Sequence, residues 1–106
     1  MTTISTHVLD ATSGRPAEGM AVILLDAAGG ALAGGRTDAD GRVGDLAGQL
    51  PAGEYALRFA TGAWHRAQGR ESFHPSVTVA FQTAGEPHLH VPLLLSPYSY
   101  TTYRGS

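Results

Sequence analysis

Residues 88–95 read His-Leu-His-Val-Pro-Leu-Leu-Leu. From Leu89 to Leu95 this stretch has the length and the composition of a β-strand. Side chains along a strand alternate between two faces, and one face here is wholly aliphatic, with Leu89, Val91, Leu93 and Leu95. We expect that face to lie in the core. The same alternation directs His88 and His90 outward, onto a sheet surface that water or a partner chain must cover.

Six further stretches have strand-like length and composition, and turn-forming residues such as Pro51-Ala52-Gly53 separate them. The segment Thr61–Gln68 lacks β-branched residues after its first position and is followed by Gly69, which predicts two turns of helix. We therefore predict an all-β fold, an antiparallel sandwich with one short helix. The additional strands are predicted at Ile4–Leu9, Ala21–Leu25, Leu32–Thr37, Tyr55–Ala60, Val77–Phe81 and Ser99–Tyr103.

The composition is that of an ordinary globular protein. Of the 106 residues 42% are hydrophobic and 15% are charged, which predicts one domain over residues 1–106. Cysteine and lysine are both absent, and this excludes disulfides, thiolate metal sites, Schiff-base lysines and P-loop lysines. The formal net charge of -2 offers nucleic acid no basic surface. Residues 1–6 do not resemble a secretory signal, so we expect a cytoplasmic protein without nucleic-acid or membrane partners.

The first predicted strand adds a third histidine to the outer surface. If Ile4 and Val8 face the core, His7 faces outward, and it joins His88 and His90 on one sheet face provided that the two strands are neighbours. Solvated or structurally hydrogen-bonded histidines are the plainer interpretation. A zinc site is another, since a His-x-His pair on one strand face is a common zinc geometry and His7 offers a third ligand. For His65 and His74, in or beside the predicted helix, we expect a surface role.

The turn Asp38-Ala39-Asp40-Gly41 directs attention to the arginine that follows it. It is similar to the opening of a calcium loop, but Gln49 occupies the position where the bidentate glutamate belongs. We interpret it as a tight turn in which the aspartates hydrogen-bond to the local backbone and Gly41 takes a positive φ. Such a turn projects Arg42 from its end.

Two motifs carry a family resemblance. The C-terminal stretch from His88 to Ser106, which ends in Tyr103-Arg104-Gly105-Ser106, closely resembles the end of the transthyretin-like 5-hydroxyisourate hydrolases. Near the N-terminus, the stretch Ser5-Thr6-His7-Val8-Leu9-Asp10 followed by Gly14-Arg15-Pro16-Ala17 resembles the start of the same family's sequences. The terminal tetrapeptide is the sharpest marker, because hormone-binding transthyretins share the fold and lack it. His74 and Trp64-His65 depart from the family's pattern without touching these motifs.

The resemblance implies a transthyretin-like (prealbumin-like) sandwich of two four-stranded sheets with one short helix. It also implies a homotetramer, a dimer of dimers whose central channel binds the substrate. His88 matches a position that the family does not use consistently. The channel residues implied by the motifs are the catalytic His7, Arg42, His90 and Ser106 and the substrate-binding Tyr103, Arg104 and Gly105.

The implied reaction opens the ring of 5-hydroxyisourate to 2-oxo-4-hydroxy-4-carboxy-5-ureidoimidazoline in urate degradation, a part of purine metabolism, with no cofactor and no metal. Such a hydrolysis needs a base near neutral pKa and a donor for the attacked carbonyl oxygen. Histidine suits the first task and Arg42 suits the second. Either His7 or His90 fits the base, with His90 as donor and His7 as base preferred. Ser106 offers its hydroxyl or its terminal carboxylate, and no aspartate-oriented triad marks it as a covalent nucleophile.

Two functions from other classes remain open. The first is a small-molecule binding protein of the transthyretin type, which uses the same channel without catalysis. The second is a structural or adhesive module, since turns such as Thr37–Arg42 also occur in prealbumin-like domains of surface proteins. The terminal tetrapeptide and the outward histidines favour the hydrolase over the first. The second is disfavoured because such modules are usually parts of longer secreted chains, whereas we expect neither a signal nor a linker here.

Overall fold

The computed structural model of the protein describes residues 1–44 and 46–105, which form two packed β-sheets and one helix. All seven predicted strands and the predicted helix are present, with ends shifted by one or two residues. Two strands of two residues each were not predicted. In chain order the elements are β1 (Thr3–Asp10), β2 (Arg15–Pro16), β3 (Ala21–Asp26), β4 (Ala31–Arg36), β5 (Arg42–Val43), β6 (Gly53–Phe59), α1 (Thr61–Ala67), β7 (Val77–Thr83), β8 (His88–Leu95) and β9 (Tyr100–Thr102).

The first sheet, called the site sheet below, has the order β2-β1-β8-β9, with β5 also paired to β1. The second sheet has the order β4-β3-β6-β7. The site sheet departs from the expected four strands because one edge of β1 is long enough for two short partners. Arg15–Pro16 pairs with the end of β1 at Leu9–Asp10, and Arg42–Val43 pairs with its middle at Thr6–His7.

The pairing of β1 with β8 corrects the prediction of a purely antiparallel sandwich. These two strands run parallel over eight residues, from Thr3 opposite His88 to Asp10 opposite Leu95. The other strand pairs of the described chain are antiparallel. A parallel neighbour requires a long crossover connection, and here the connection from β1 to β8 runs through the second sheet and the helix.

The core lies between the two sheets, and it confirms the predicted faces of β1 and β8. Ile4 and Val8 are buried from β1, as are Leu89 and Leu93 from β8. They pack in one cluster with side chains of the second sheet such as Phe59. Alternation along each strand therefore leaves the histidines of β1 and β8 on the outer face of the site sheet.

The helix α1 ends as predicted, at a glycine. Gly69 takes a φ of +74°, and the amides of Gly69 and Arg70 donate to the carbonyls of Arg66 and His65, which is a Schellman motif. No helix in the described part of the chain has the length and hydropathy needed to cross a membrane.

The prediction of a surface role for His65 is wrong, because its side chain is only 1% exposed. The helix buries one face that includes Trp64 and His65. Its first turn lies so close to the backbone of Pro75 that position 62 has no room for a Cβ, which only glycine lacks. A helix of seven residues carries too little periodicity to show from the sequence which face it buries. His74 is half-buried and lies edge-on against Phe73 and Tyr100.

Candidate active site

Three of the predicted catalytic residues meet on the outer face of the site sheet. His7 on β1 is paired in register with Arg42 on β5. Ser5, two residues earlier on β1, is paired with His90 on β8. Residues separated by two on one strand share a face, so His7, Arg42 and His90 lie together on the outside of the sheet. Two histidines beside one arginine provide a proton acceptor and a donor for an anion.

A tight turn holds Arg42 in this position, as predicted. The Asp38 carboxylate accepts the amides of Asp40 and Arg42 at 2.9 and 3.0 Å, and the Asp38 amide donates to the Arg42 carbonyl at 3.0 Å. Gly41 has a φ of +76°, and a Cβ there would collide with the Val8 carbonyl oxygen. The turn therefore uses its aspartate internally and requires glycine where it packs on β1.

The C-terminal tail is fastened to β8 beside His90. The Gly105 amide donates a 2.8 Å hydrogen bond to the His90 carbonyl, which makes an isolated antiparallel bridge. A Cβ at Gly105 would lie 2.7 Å from Cδ2 of the His90 ring, which is closer than carbon atoms approach without strain. Glycine thus allows the tail to lie directly against the ring. Ser106, predicted to be catalytic, lies outside the described residues.

An open groove of about 430 Å³ runs along this surface. Its lining combines residues predicted from the motifs with two that were not assigned a role. It is formed by Ser5, Arg42, His88, His90, Tyr103 and Gly105.

Arg104 lies apart from this groove. Its guanidinium is 3.9 Å from the Glu86 carboxylate and its side chain is 71% exposed. It lines a second hollow of about 280 Å³, where the apolar side chains of Phe81 and Leu89 also lie. His90 lines both hollows and stands between them. The structure therefore brings His90, Tyr103 and Gly105 to Arg42 but directs Arg104 toward Glu86.

The electrostatic surroundings keep His90 neutral. Partial burial lowers the pKa of His90, and the charge of Arg42 lowers it further. Protonated His7 and His88 act in the same direction. A histidine whose pKa lies below its usual value is unprotonated at neutral pH, so His90 can accept a proton there.

Ser5 is the site residue that the sequence analysis did not single out. Its Oγ lies 2.8 Å from Nδ1 of His90 and 2.8 Å from Nε2 of His88, so one hydroxyl joins both histidines. The Nδ1 of His88 in turn lies 2.6 Å from Oγ1 of Thr3. The alternation of β1 places Ser5 on the same face as His7, and this is the one feature of the sequence that points to Ser5. A single serine is otherwise too common to indicate a functional site.

The zinc alternative has no ligand set in residues 1–44 and 46–105. No three histidine or acidic side chains of this part of the chain are close enough to hold a metal ion. His88 and His90 both direct ring nitrogens at the Ser5 hydroxyl. That arrangement satisfies the histidines by hydrogen bonds instead of by a shared ion.

Residues 4–105 match the sequence profile of the HIUase/Transthyretin family. A 5-hydroxyisourate hydrolase from Mesorhizobium japonicum is 46% identical, over 97% of this chain and 91% of the relative. The solved structure of Klebsiella pneumoniae 5-hydroxyisourate hydrolase superposes with a TM-score of 0.94 and is 45% identical, with both chains covered completely. Transthyretin from Sparus aurata has a TM-score of 0.89 and 37% identity, over 96% of this chain and 95% of that one.

Proposed function

The chain belongs to the HIUase/Transthyretin family, and we propose on that basis that it is a hydrolase that opens the ring of 5-hydroxyisourate. The product is 2-oxo-4-hydroxy-4-carboxy-5-ureidoimidazoline, which places the enzyme in urate degradation and purine metabolism. The observation that carries this function is the meeting of His7, Arg42 and His90 on one sheet face in a chain with close hydrolase relatives.

The proposed chemistry is addition of water to a ring carbonyl. A histidine, either His7 or His90, takes a proton from the water as its oxygen bonds to the carbonyl carbon. The acyl C–N bond then breaks, the acyl carbon becomes a carboxyl group that stays attached to the product, and the nitrogen takes up the proton that the histidine had accepted. Negative charge develops on the carbonyl oxygen, and a fixed donor there lowers the barrier. In this scheme Arg42 supplies the donor fork and also binds the planar substrate.

For the tail we propose two different roles. Tyr103 and Gly105 line the groove, and in the proposal they form one wall of the substrate site. The Arg104 side chain lies beside Glu86, so we assign substrate recognition to Arg42 first and to Arg104 second. Ser106 follows directly on Gly105, and the catalytic role predicted for it from the motif is kept as part of this proposal.

We further propose that the protein assembles as a homotetramer, a dimer of dimers. The outer face of the site sheet bears the half-buried His7 and His90, together with the exposed His88 and Leu94, the latter 36% exposed. A second copy on this face would exclude water from the groove and strengthen the electrostatic interactions in it. The free edge of β9 at the end of the sheet offers an isologous contact for the other interface.

Location and cofactors complete the proposal. We propose a cytoplasmic location, because a chain without cysteine gains nothing from an oxidising compartment. The reaction as written needs water and protein side chains alone, and therefore no cofactor or metal.

A transthyretin-type binding protein is the second candidate, favoured by the likeness to Sparus aurata transthyretin. One inexpensive measurement distinguishes the two functions. It follows the absorbance of freshly generated 5-hydroxyisourate over time, with and without the purified protein. The hydrolase shortens the lifetime of the substrate in proportion to protein concentration. A carrier binds without shortening it, and that result would overturn the proposed activity.

A further inference from the structure

A row of hydrogen bonds leads from the backbone to His90 along the outer face of the site sheet. Thr3 Oγ1 lies 3.3 Å from the Pro87 carbonyl oxygen and 2.6 Å from Nδ1 of His88. Nε2 of His88 lies 2.8 Å from Ser5 Oγ, which in turn lies 2.8 Å from Nδ1 of His90. The parallel pairing of β1 and β8 produces this row, because it sets Thr3 beside His88 and Ser5 beside His90.

The direction of the row depends on where the Thr3 hydroxyl hydrogen goes, since the Pro87 carbonyl oxygen and Nδ1 of His88 lie within reach at 3.3 and 2.6 Å. The carbonyl oxygen accepts only, and when Thr3 donates to it this hydrogen is not available to His88. In that arrangement the Thr3 oxygen accepts from Nδ1–H of His88. A neutral imidazole carries one hydrogen, which leaves Nε2 of His88 free to accept from the Ser5 hydroxyl.

The same count of hydrogens can be continued from Ser5 to the ring of His90. Ser5 also has one hydrogen, and His88 receives it. The contact between Ser5 and His90 is therefore a hydrogen bond from Nδ1–H of His90 to Ser5 Oγ. Neutral His90 then has no hydrogen on Nε2. The carbon bonded to Nε2, Cδ2, lies against Gly105, so this edge of the ring is turned to the tail and away from Ser5.

We propose that Ser5 is a positioning residue that holds His90 in the tautomer with a bare Nε2, and that His90, rather than His7, is the general base. The proposal rests on the hydrolase function proposed above and reverses the roles expected from the sequence. Ser5 touches no reacting atom and acts through His90. His88 transmits the direction of the hydrogen bonds from Thr3 to Ser5, which gives a role to a histidine at a position that the family does not use consistently.

The charges around His90 favour this assignment. A base must be unprotonated before it can act, and the pKa of His90 is lowered by burial and by Arg42. His7 and His88 also face His90 on the site sheet, and each adds to that effect only in its protonated form. In the tail, Arg104 and Glu86 offset each other as an ion pair. His7 is paired instead with Arg42, and no hydrogen bond to its ring from another residue in the described chain fixes its tautomer.

The tautomer can be read directly by nitrogen-15 NMR of the histidine rings, without any substrate. In the wild-type protein at pH 7.5 we expect neutral His90 to carry its hydrogen on Nδ1. Ser5→Ala should lose this preference, and Ser5→Thr, which keeps a hydroxyl, should restore it. Finding the hydrogen on Nε2 of wild-type His90 would overturn the proposal, whatever the activity of the protein.

Kinetics provides the second measurement. Ser5→Ala should lower kcat on 5-hydroxyisourate by about tenfold or more, a part of what a general base contributes. KM should change less than kcat, since Ser5 lines the groove but its hydroxyl is engaged by the two histidines. Ser5→Thr should recover most of kcat. The matched control is Ser99→Ala, because that serine also makes a 2.7 Å side-chain hydrogen bond but lies in an exposed turn.

The outcomes separate the two proposals. If the wild-type protein does not hydrolyse 5-hydroxyisourate, the proposed function is wrong, and the NMR measurement still decides the tautomer of His90. An active wild type whose Ser5→Ala variant keeps full kcat contradicts the role of Ser5. Equal losses in Ser5→Ala and Ser5→Thr, with unchanged circular dichroism, would also overturn it, because a hydroxyl would then not be what matters.

Discussion

Gly105 donates its amide hydrogen to the carbonyl of His90 at 2.8 Å, and its missing side chain leaves room for the imidazole ring. The tail that distinguishes this sequence is thereby attached to the strand that bears a candidate catalytic residue. The arrangement explains in physical terms why glycine stands at this position of the terminal motif. The tail and the ring cannot both keep their places once a Cβ is added.

Gly105→Ala should therefore impair catalysis more than folding. The new Cβ would lie 2.7 Å from Cδ2 of His90, so the ring or the tail must shift, and a displacement of about 1 Å in a catalytic group costs up to about a hundredfold in rate. Steady-state kinetics and thermal unfolding test this together. The control is Gly34→Ala, where the nearest atom would be 3.5 Å away; equal kinetics for the two variants would contradict the prediction.

Arg42→Ala should lower kcat/KM by about a hundredfold or more, since removal of a fixed donor to a developing oxyanion typically costs that much. Arg42→Lys keeps the charge without the planar fork and should recover only part of the loss. Arg36→Ala is the matched control, because that exposed arginine donates to the Gly19 carbonyl away from the groove. If both alanine variants lose the same activity, the assignment of Arg42 is wrong.

Activity should survive exhaustive chelation. The described residues hold no cluster suited to a metal ion, and the proposed reaction uses side chains and water alone. Dialysis against EDTA followed by the absorbance assay, with elemental analysis of the protein, tests this. Activity that disappears with EDTA and returns with added zinc would establish a metal site in place of the mechanism proposed.

The stability of the fold should decline in mild acid because of His65. Burial lowers the pKa of His65, and the charge of Arg70 lowers it further. Above the ordinary value of 6.5 both folded and unfolded chains hold this ring neutral. As the pH falls below 6.5 the unfolded chain takes up the proton first, so the free energy of unfolding decreases. His90, whose pKa is also lowered, adds a decrease of the same sign.

Denaturant unfolding between pH 7.5 and pH 5 measures this effect. His65→Leu should make the decline shallower, since it removes one of the two groups that cause it.

At lower pH a second loss of stability should follow from Asp10. Burial alone would raise the pKa of Asp10, but its hydrogen bonds from Arg70 and Ser13 outweigh burial and lower it, so the stability that it contributes is lost as the pH falls below 3.8. If the free energy of unfolding falls equally steeply between pH 7.5 and pH 5 in His65→Leu and in wild type, the prediction for His65 is wrong.

Strand alternation predicted the faces of β1 and β8 correctly, because a face buried on one side leaves a period of two in the sequence. It could not show that these strands run parallel, since alternation fixes the face of a residue and says nothing about the direction of its neighbour. The strand at Arg15–Pro16 is too short to leave any period. His65 was misplaced for a related reason, because helix burial depends on what packs against the helix.

The candidate site was predictable where a motif named its residues and unpredictable where side-chain direction decides. His7 and His90 lie on one face as the alternation predicted, and Arg42 lies beside them as the family resemblance implied. The direction of Arg104 toward Glu86 depends on a contact between distant parts of the chain. The role of Ser5 depends on the register of two strands joined by most of the chain, which no local pattern reveals.

The decay of freshly generated 5-hydroxyisourate in the presence of wild-type protein and of His90→Asn tests the central claim most directly. Wild type should consume the substrate at a rate proportional to protein concentration. His90→Asn, shown by sedimentation to have the same mass as wild type, should be slower by about a hundredfold or more, because a general base contributes at least that factor. Equal rates in the two proteins, or no acceleration by either, would contradict the account.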